Sequence, residues 1–288
     1  MNSVNASTLT PAHLEELARA VLLLERPSLA ARLAEQAGKP VNRVIRFLPR
    51  VASDRVQAAV KLALMNCLKV AIRSLDLQNL ARPASTWMPK LMSGVTGAVG
   101  GLFGMVSLPI ELPLTTTLMF RSIAEIARSE GEDLSQMEAR LACMEVFALG
   151  DRHAIDGTGI GYYASRTLLT RLTNDVAAYL LVDRGALEVS TPVMARLLGE
   201  IAARFGFVVS ERVAAGTVPV IASLGSATVN LIFMDMFQKI ARGHFIVRRL
   251  EREYGEATIR RLYDEFAAGF ASGPVRLAAA QKNLPKPN

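Results

Sequence analysis

The sequence predicts an all-α protein, a single bundle-like domain of many helices with two long central helical segments rich in glycine and apolar residues. Two helix starts carry the same signal, a capping threonine followed by a proline in the first turn, at Thr10-Pro11 and Thr191-Pro192. A third helix is predicted from Ser53 onward, because apolar residues recur there at steps of three and four. No segment alternates apolar and polar residues between hairpin turns, so we expect no β-sheet.

Capping residues and glycines delimit the other predicted helices. Ser135 and Glu138 have the spacing of a capping box before an apolar stretch that Gly150 ends. A long helix is expected over residues 158–184, and Tyr254-Gly255 marks a late helix break.

The composition is that of a folded protein with a sizeable core. Hydrophobic residues make up 51% of the 288 residues and charged residues only 20%, and the mean hydropathy is +0.27. These values exclude a disordered chain, which needs low hydrophobicity and high charge. We predict one helical domain over residues 10–271, with a disordered tail at 1–9 and a flexible tail at 272–288.

The positive charge of the protein is concentrated in one segment. The formal net charge is +7, and residues 39–90 contain ten basic residues against two acidic ones. A local basic field favours phosphate-bearing partners, either lipid headgroups or nucleic acid. Nucleic acid is the less favoured partner, because only 6% of the residues are aromatic and none alternates with basic residues.

The cysteines and the start of the sequence indicate residence in a reducing compartment. Cys67 and Cys143 each lie within an apolar helical pattern, where we expect small buried thiols rather than a disulfide. The first twenty residues lack the basic and apolar regions of a secretory signal. We therefore expect a cytoplasmic protein.

Two long segments contain no charged residue, namely the twenty residues 91–110 and the twenty-two residues 213–234. Each is long enough to cross a hydrocarbon core of ~30 Å as a helix. Both are rich in glycine, alanine, serine and threonine, which permit close helix packing in lipid or in a protein core. Three possibilities stay open: a buried helix pair, membrane-inserted segments, or segments that enter lipid conditionally.

Glu111 stands alone between uncharged residues at the end of the first of these segments. A carboxylate in such surroundings must be paired, hydrated or neutral, because burying an unpaired charge is costly. A structural ion pair is one explanation, with Arg121 or a basic residue elsewhere as the partner. A catalytic carboxylate is the other explanation.

A short basic and amphipathic segment is the best sequence indication of membrane contact. Arg43, Arg46 and Arg50 lie on one face of a helix whose other face is mostly apolar, as in helices that lie at a lipid surface. The same pattern also fits an ordinary surface helix. Further candidates for lipid contact are two later arginines and the single tryptophan, which stands where an interfacial anchor would lie: Arg248, Arg249 and Trp87.

Several stretches together resemble one protein family. The stretch GAVGGLFGMVSLPIELPLTTTLMFRSIAEIARSEGEDL, followed by EARLACMEVFALG, is similar to the core motif of the EcsC protein family. VSERVAAGTVPVIASLGSATVNLIFMDMFQKIARGHFIVRRLEREYG and GYYASRTLL extend the likeness to roughly residues 40–265. The resemblance implies an all-helical fold and suggests a component of an ABC transporter as a partner, but it implies no reaction. It places these residues on family motif positions: Gly101, Gly104, Pro109, Glu111, Pro113, Pro219, Gly225 and Asn230.

Residues with catalytic potential are few. The three histidines are far apart, and none has the spacing of a metal-binding motif, so we expect no metal and no cofactor. Asp151, His153 and Asp156 form a polar loop that could serve as a weak catalytic site, although a solvated loop explains it as well. No nucleophile elbow, phosphate-binding loop or kinase motif is present.

These observations favour a non-enzymatic helical protein that binds an anionic phospholipid surface or a membrane partner such as an ABC transporter component. We expect it in the cytoplasm, peripheral to or partly inserted in the inner membrane. Two alternatives remain, a hydrolase that uses Glu111 or the loop with Asp151, His153 and Asp156, and a soluble interaction module.

Overall fold

A computed structural model describes residues 9–25, 53–73, 108–150, 161–182, 191–217 and 226–271 of the chain. These residues form eight α-helices and no β-strand, which confirms the predicted all-α, bundle-like fold. The helices are α1 (Pro11–Leu24), α2 (Ser53–Arg73), α3 (Leu108–Ser129), α4 (Met137–Ala148), α5 (Tyr162–Val182), α6 (Pro192–Thr217), α7 (Ser226–Tyr254) and α8 (Glu256–Ala271).

Most of the predicted helix boundaries agree with the structure. The side chain of Thr10 accepts a hydrogen bond from the backbone N–H of His13 at 3.3 Å and so caps α1. Helix α6 begins at the predicted Pro192. Gly255 separates α7 from α8 with a φ of 85°, a left-handed conformation that favours glycine.

The predicted capping box before α4 is wrong. The residue that caps this helix is Gln136, whose side chain forms no capping hydrogen bond. The backbone N–H of Ser135 instead donates to Oδ1 of Asp133 at 2.9 Å. This local turn takes Ser135 out of the capping position, so the helix starts one residue later. The same hydrogen bond holds the pKa of the Asp133 carboxyl below its ordinary value.

The chain divides into two compact units. A central unit comprises residues 27–241, and a terminal unit comprises residues 1–26 and 242–288. Helices α2 to α6 belong to the central unit, while α1 and α8 belong to the terminal unit. Helix α7 contributes its residues up to Ala241 to the central unit and the rest to the terminal unit.

Helix α4 forms the centre of the central unit. All of its residues from Ala139 to Ala148 are buried, and it packs against α2, α3, α5 and α6. Four phenylalanine rings from α4, α6 and α7 stack edge-on or tilted around it, with centroids 5.0–6.2 Å apart: Phe147, Phe205, Phe233 and Phe237. This aromatic cluster fixes α6 and α7 relative to α4.

Helix α2 lies against α3, α4 and α6. Its buried face carries the apolar residues that the sequence pattern predicts, including Cys67. Cys67 and Cys143 are both free and buried, as expected. Near the end of α2, Nη1 of Arg140 donates to the carbonyl of Ala71 at 2.9 Å. Carbonyls in a last helical turn lack partners within the helix, so Arg140 caps α2 from α4.

The terminal unit is held together by contacts between α1, α7 and α8. At Gly243 on α7, an added Cβ would lie 2.7 Å from Cγ of Leu24 and 3.0 Å from the carbonyl oxygen of Ala20 on α1. The close approach of two helices explains the glycine at this position. The hydroxyl of Tyr263 on α8 donates to Oε1 of Glu25 at 2.7 Å.

The two uncharged segments are described only in part. Residues 108–110 of the first segment begin α3, and its other residues lie outside the described part of the chain. The second segment is divided between the end of α6 and the start of α7, with residues 218–225 outside the description. Among the helices described, none combines the length and the apolar character that crossing a bilayer requires.

Candidate functional site

Three polar residues from three helices of the central unit meet at one point. Glu111 lies in the first turn of α3, Arg212 lies five residues before the end of α6, and Asn230 is the fifth residue of α7. Nη2 of Arg212 donates to Oε1 of Glu111 and to Oδ1 of Asn230. Nδ2 of Asn230 lies 3.5 Å from the same Oε1 of Glu111. We call these three residues the Glu111 cluster.

The Glu111 cluster lies at the edge of the core. The side chain of Arg212 is 9% exposed and that of Glu111 is 22% exposed. The guanidinium carbon of Arg212 lies 5.2 Å from the ring centroid of Phe233, a cation–π contact on the side of the aromatic cluster. Glu111 supplies the countercharge that a guanidinium in such surroundings requires.

The aromatic core sets the position of Arg212 opposite Asn230. Phe205 on α6 contacts Phe237 on α7, with centroids 5.5 Å apart. Arg212 lies seven residues after Phe205 on α6, and Asn230 lies seven residues before Phe237 on α7. The side chains of Arg212 and Asn230 also contact each other. The two helices are therefore antiparallel here, and seven residues make two turns, so both contacts lie on the same faces.

The Glu111 cluster lies where the first uncharged segment ends and the second begins. Glu111 is the first charged residue after residues 91–110, and Arg212 is the last charged residue before residues 213–234. Their ion pair brings the end of the first segment and the start of the second within the length of two side chains.

The start of α2 also belongs to this part of the central unit. An added Cβ at Gly206, six residues before Arg212 on α6, would lie 2.8 Å from Nε2 of Gln57. Gln57 is in the second turn of α2, and the predicted basic segment with Arg43, Arg46 and Arg50 precedes that helix directly. Six helical residues rise ~9 Å, so Gln57 meets α6 about that distance along the helix axis from Arg212.

The structure answers the question of which residue pairs with Glu111. The partner is Arg212, while Arg121 lies 3.7 Å from Glu125 on its own helix. Arg212 was not among the candidate residues predicted from the sequence. One feature of the sequence could have indicated Arg212 as the partner. Arg212 is the last charged residue before the second uncharged segment, just as Glu111 is the first charged residue after the first segment.

Two prolines of the family motif lie at the start of α3. Pro109 falls in the first turn, and Pro113 lies inside the helix. The hydroxyl of Thr117 donates to the carbonyl of Pro113 at 2.7 Å, and that of Thr116 donates to Leu112 at 2.7 Å. Apart from Glu111 and Asn230, the remaining motif residues lie outside the described residues: Gly101, Gly104, Pro219 and Gly225.

The predicted lipid-contacting residues are described in part. Arg43, Arg46, Arg50 and Trp87 lie outside the described residues. Arg248 and Arg249 are partly buried on α7. Nη2 of Arg249 forms an ion pair with Oε2 of Glu16 at 2.6 Å, which commits part of its charge within the terminal unit.

Helix α2 has a basic exposed face. Lys61 and Lys69 are exposed, and so is Leu62, whose exposed fraction of 46% is high for a leucine. Leu62 and Lys69 are seven residues apart and so share one line along the helix. The exposed face of α2 therefore combines positive charge with an apolar side chain.

The predicted polar loop with Asp151, His153 and Asp156 lies outside the described residues. Across the described helices and loops, no group of three or more histidine, cysteine and acidic residues is arranged to hold a metal ion.

Comparisons with known proteins give one match. The sequence profile of the EcsC protein family matches residues 12–250, which include every residue of the Glu111 cluster. No curated protein and no solved structure showed a significant match. The profile spans most of the chain, and the protein therefore belongs to the EcsC protein family.

Proposed function

We propose that this protein is a non-enzymatic, cytoplasmic helical protein that binds anionic phospholipid at the inner membrane. One observation carries the proposal: the ion pair between Glu111 and Arg212 holds the end of the first uncharged segment beside the start of the second. Because the end of the first segment lies beside the start of the second, we expect the two segments to act on one surface. Membrane contact is the use that apolar segments beside basic residues favour.

The charge of the neighbouring part of the protein supports the same proposal. Helix α2 contains four basic residues and one acidic residue, and the exposed Lys61 and Lys69 lie on it beside the exposed Leu62. The segment with Arg43, Arg46 and Arg50 leads into this helix. Each basic residue close to an anionic membrane contributes about 1 kcal/mol of attraction, so the basic residues of this region together support reversible, salt-sensitive binding.

Arg248, Arg249 and Trp87 are secondary contributors in this proposal. The pairing of Arg249 with Glu16 leaves less of its charge for a lipid headgroup. We therefore expect a larger effect from changes at Arg43, Arg46 and Arg50 than from a change at Arg249.

Flotation with vesicles tests the proposal. The purified full-length protein is mixed with vesicles of phosphatidylcholine alone or with 30 to 50% phosphatidylglycerol, at about 0.1 M and 0.5 M salt. We expect flotation with the anionic vesicles at low salt, and its loss in the triple variant Arg43→Glu, Arg46→Glu, Arg50→Glu. A matched control reverses three exposed arginines of the terminal unit, which should leave flotation unchanged: Arg252, Arg260 and Arg261.

Two results would contradict the proposal. Absence of flotation at low salt by a monodisperse, helical protein would remove membrane lipid as the ligand. Equal loss of flotation in the two triple variants would show that net charge alone, rather than the basic segment before α2, is responsible. Binding to native membrane vesicles without binding to protein-free vesicles would instead identify a membrane protein, such as a transporter component, as the partner.

A further inference from the structure

One nitrogen of the buried arginine in the Glu111 cluster has no acceptor among the described residues. An arginine side chain has five N–H donors, and Nη2 of Arg212 donates to both Glu111 and Asn230. Nη1 is buried, and no hydrogen-bond acceptor for it exists in the described part of the chain. Buried N–H groups nearly always have a partner, because leaving one unpaired is costly.

The contacts of Arg212 differ from those of an ordinary ion pair. Arginine and a carboxylate commonly form two parallel hydrogen bonds that use two nitrogens of the guanidinium. In this protein a single nitrogen, Nη2, contacts both Glu111 and Asn230. Glu111 and Asn230 therefore hold the guanidinium in place and leave its Nη1 edge available for another acceptor.

The first turns of two long helices lie beside this guanidinium. Glu111 is in the first turn of α3, and Asn230 is just beyond the first turn of α7. N–H groups in a first helical turn lack acceptors within the helix and give the helix start a partial positive charge of about +0.5. The two helix starts add partial positive charge beside the ion pair of Arg212 and Glu111, whereas the buried Glu211 next to Arg212 and the end of α6 add negative charge, so the site suits an anion of low charge.

From this arrangement we infer a binding site for a phosphate-type monoanion at Nη1 of Arg212, between the starts of α3 and α7. A phosphodiester carries a single negative charge, and its oxygens match the donor geometry of a guanidinium. Phe233 covers one face of the guanidinium, and the partial exposure of Glu111 connects the cluster to the surface. The site itself follows from the cluster, while its assignment to a phospholipid headgroup rests on the proposed membrane function.

Two ligand sources share this chemistry, namely the phosphodiester of a lipid headgroup and free inorganic phosphate. The full-length protein is titrated separately with dihexanoyl phosphatidylglycerol, below the concentration at which it forms micelles, and with inorganic phosphate. Binding is followed by ³¹P NMR line broadening and by isothermal titration calorimetry. We expect saturable binding of the phosphatidylglycerol, and weaker binding of inorganic phosphate because part of it is dianionic at pH 7.

Variants of Arg212 and of a neighbouring arginine separate this site from general attraction to positive charge. Arg212→Lys keeps the charge but removes the planar donor edge, so affinity should fall at least tenfold. The matched control is Arg204→Lys on the same helix, where Nη1 of Arg204 contacts Oε2 of Glu200 at 3.0 Å, and it should bind as the wild type does. Circular dichroism checks that each variant keeps its helical content.

A second variant keeps the test valid if Arg212→Lys does not fold. Asn230→Asp retains an acceptor for Arg212 and adds a negative charge, so the protein should fold while losing affinity at least tenfold. Unchanged affinity in this variant, or in a folded Arg212→Lys, would overturn the site. Binding of inorganic phosphate alone would support the site and assign it to free phosphate.

The two proposals can fail independently. Flotation with anionic vesicles in the absence of phosphodiester binding would overturn the site and leave the membrane function intact. Phosphodiester binding without flotation would support the site and contradict the membrane function.

Discussion

Glu111 and Arg212 form an ion pair across 101 positions of the sequence, and both also lie within reach of Asn230. The pair joins the first turn of α3 to the last turns of α6. Glu111 directly follows one long uncharged segment, and Arg212 directly precedes the other. A single interaction therefore both neutralises two charges beside apolar sequence and fixes the relative position of the two segments at this point.

Removal of the carboxylate should destabilise the protein. Glu111→Ala leaves the 9% exposed Arg212 without its countercharge, and we expect a loss of about 2–3 kcal/mol in the free energy of unfolding, as for hydrogen bonds to charged groups. Urea unfolding followed by circular dichroism measures it. Glu125→Ala on the same helix removes an exposed partner of Arg121 and should cost less than ~1 kcal/mol. Equal effects would mean that the Glu111 cluster has no special energetic role.

Two helical glycines should respond to alanine with opposite signs. At Gly243 the added methyl group would meet Leu24 and the backbone of Ala20, so we expect a loss of about 1–3 kcal/mol from overpacking. At Gly199, inside α6, no atom lies within 4 Å of the added Cβ, and alanine should stabilise by about 0.5–1 kcal/mol through helix propensity. Thermal and urea unfolding of the two variants compare these effects, and destabilisation by Gly199→Ala would contradict the helical packing described for α6.

The buried arginine of α4 should be needed for the packing of α2. Arg140 donates to the carbonyls of Ala71, Ser135 and Gln136, and burial lowers the pKa of its guanidinium. Arg140→Met keeps much of the volume but removes the side-chain donor from these carbonyls. We expect a loss of about 2–3 kcal/mol in the free energy of unfolding. Arg171→Met, at an exposed position of α5, should change it by less than ~0.5 kcal/mol.

The thiol of Cys67 should be unreactive in the folded protein. Burial raises its pKa from 9.0 to about 12, and the thiolate is the reactive form. At pH 8 a disulfide reagent such as DTNB should therefore titrate no thiol at Cys67 until the protein is denatured. Rapid labelling of wild-type protein but not of Cys67→Ala would contradict the burial of this residue.

The raised pKa of Cys67 also predicts that the stability of the protein depends on pH. Since the folded-state pKa lies above the unfolded-state value, the folded protein holds the proton more tightly. The stability from this group is fully present below about pH 9 and is lost as the pH rises towards 12. Urea unfolding of the wild type and of Cys67→Ala at pH 8 and pH 10.5 gives the difference between their free energies of unfolding. We expect this difference to be smaller at pH 10.5.

Local signals in the sequence were sufficient for most helix boundaries. A threonine before a proline starts α1 and α6, and Gly255 separates α7 from α8. These features act within one or two helical turns, so they can be recognised directly in the sequence. The capping box at Ser135 failed because Asp133, two residues earlier, competes for the same N–H group.

The sequence by itself determined that this protein is helical, that its cysteines are buried, and that Glu111 needs a partner, because periodicity, capping and the cost of burying a charge are local properties. The tertiary structure alone decided that the partner is Arg212 rather than Arg121. That choice depends on the aromatic cluster, which sets α6 and α7 antiparallel and brings Arg212 to Asn230 and Glu111. No sequence pattern near Glu111 could indicate its pairing with Arg212, because the contact forms only when three helices that are distant in the sequence pack together.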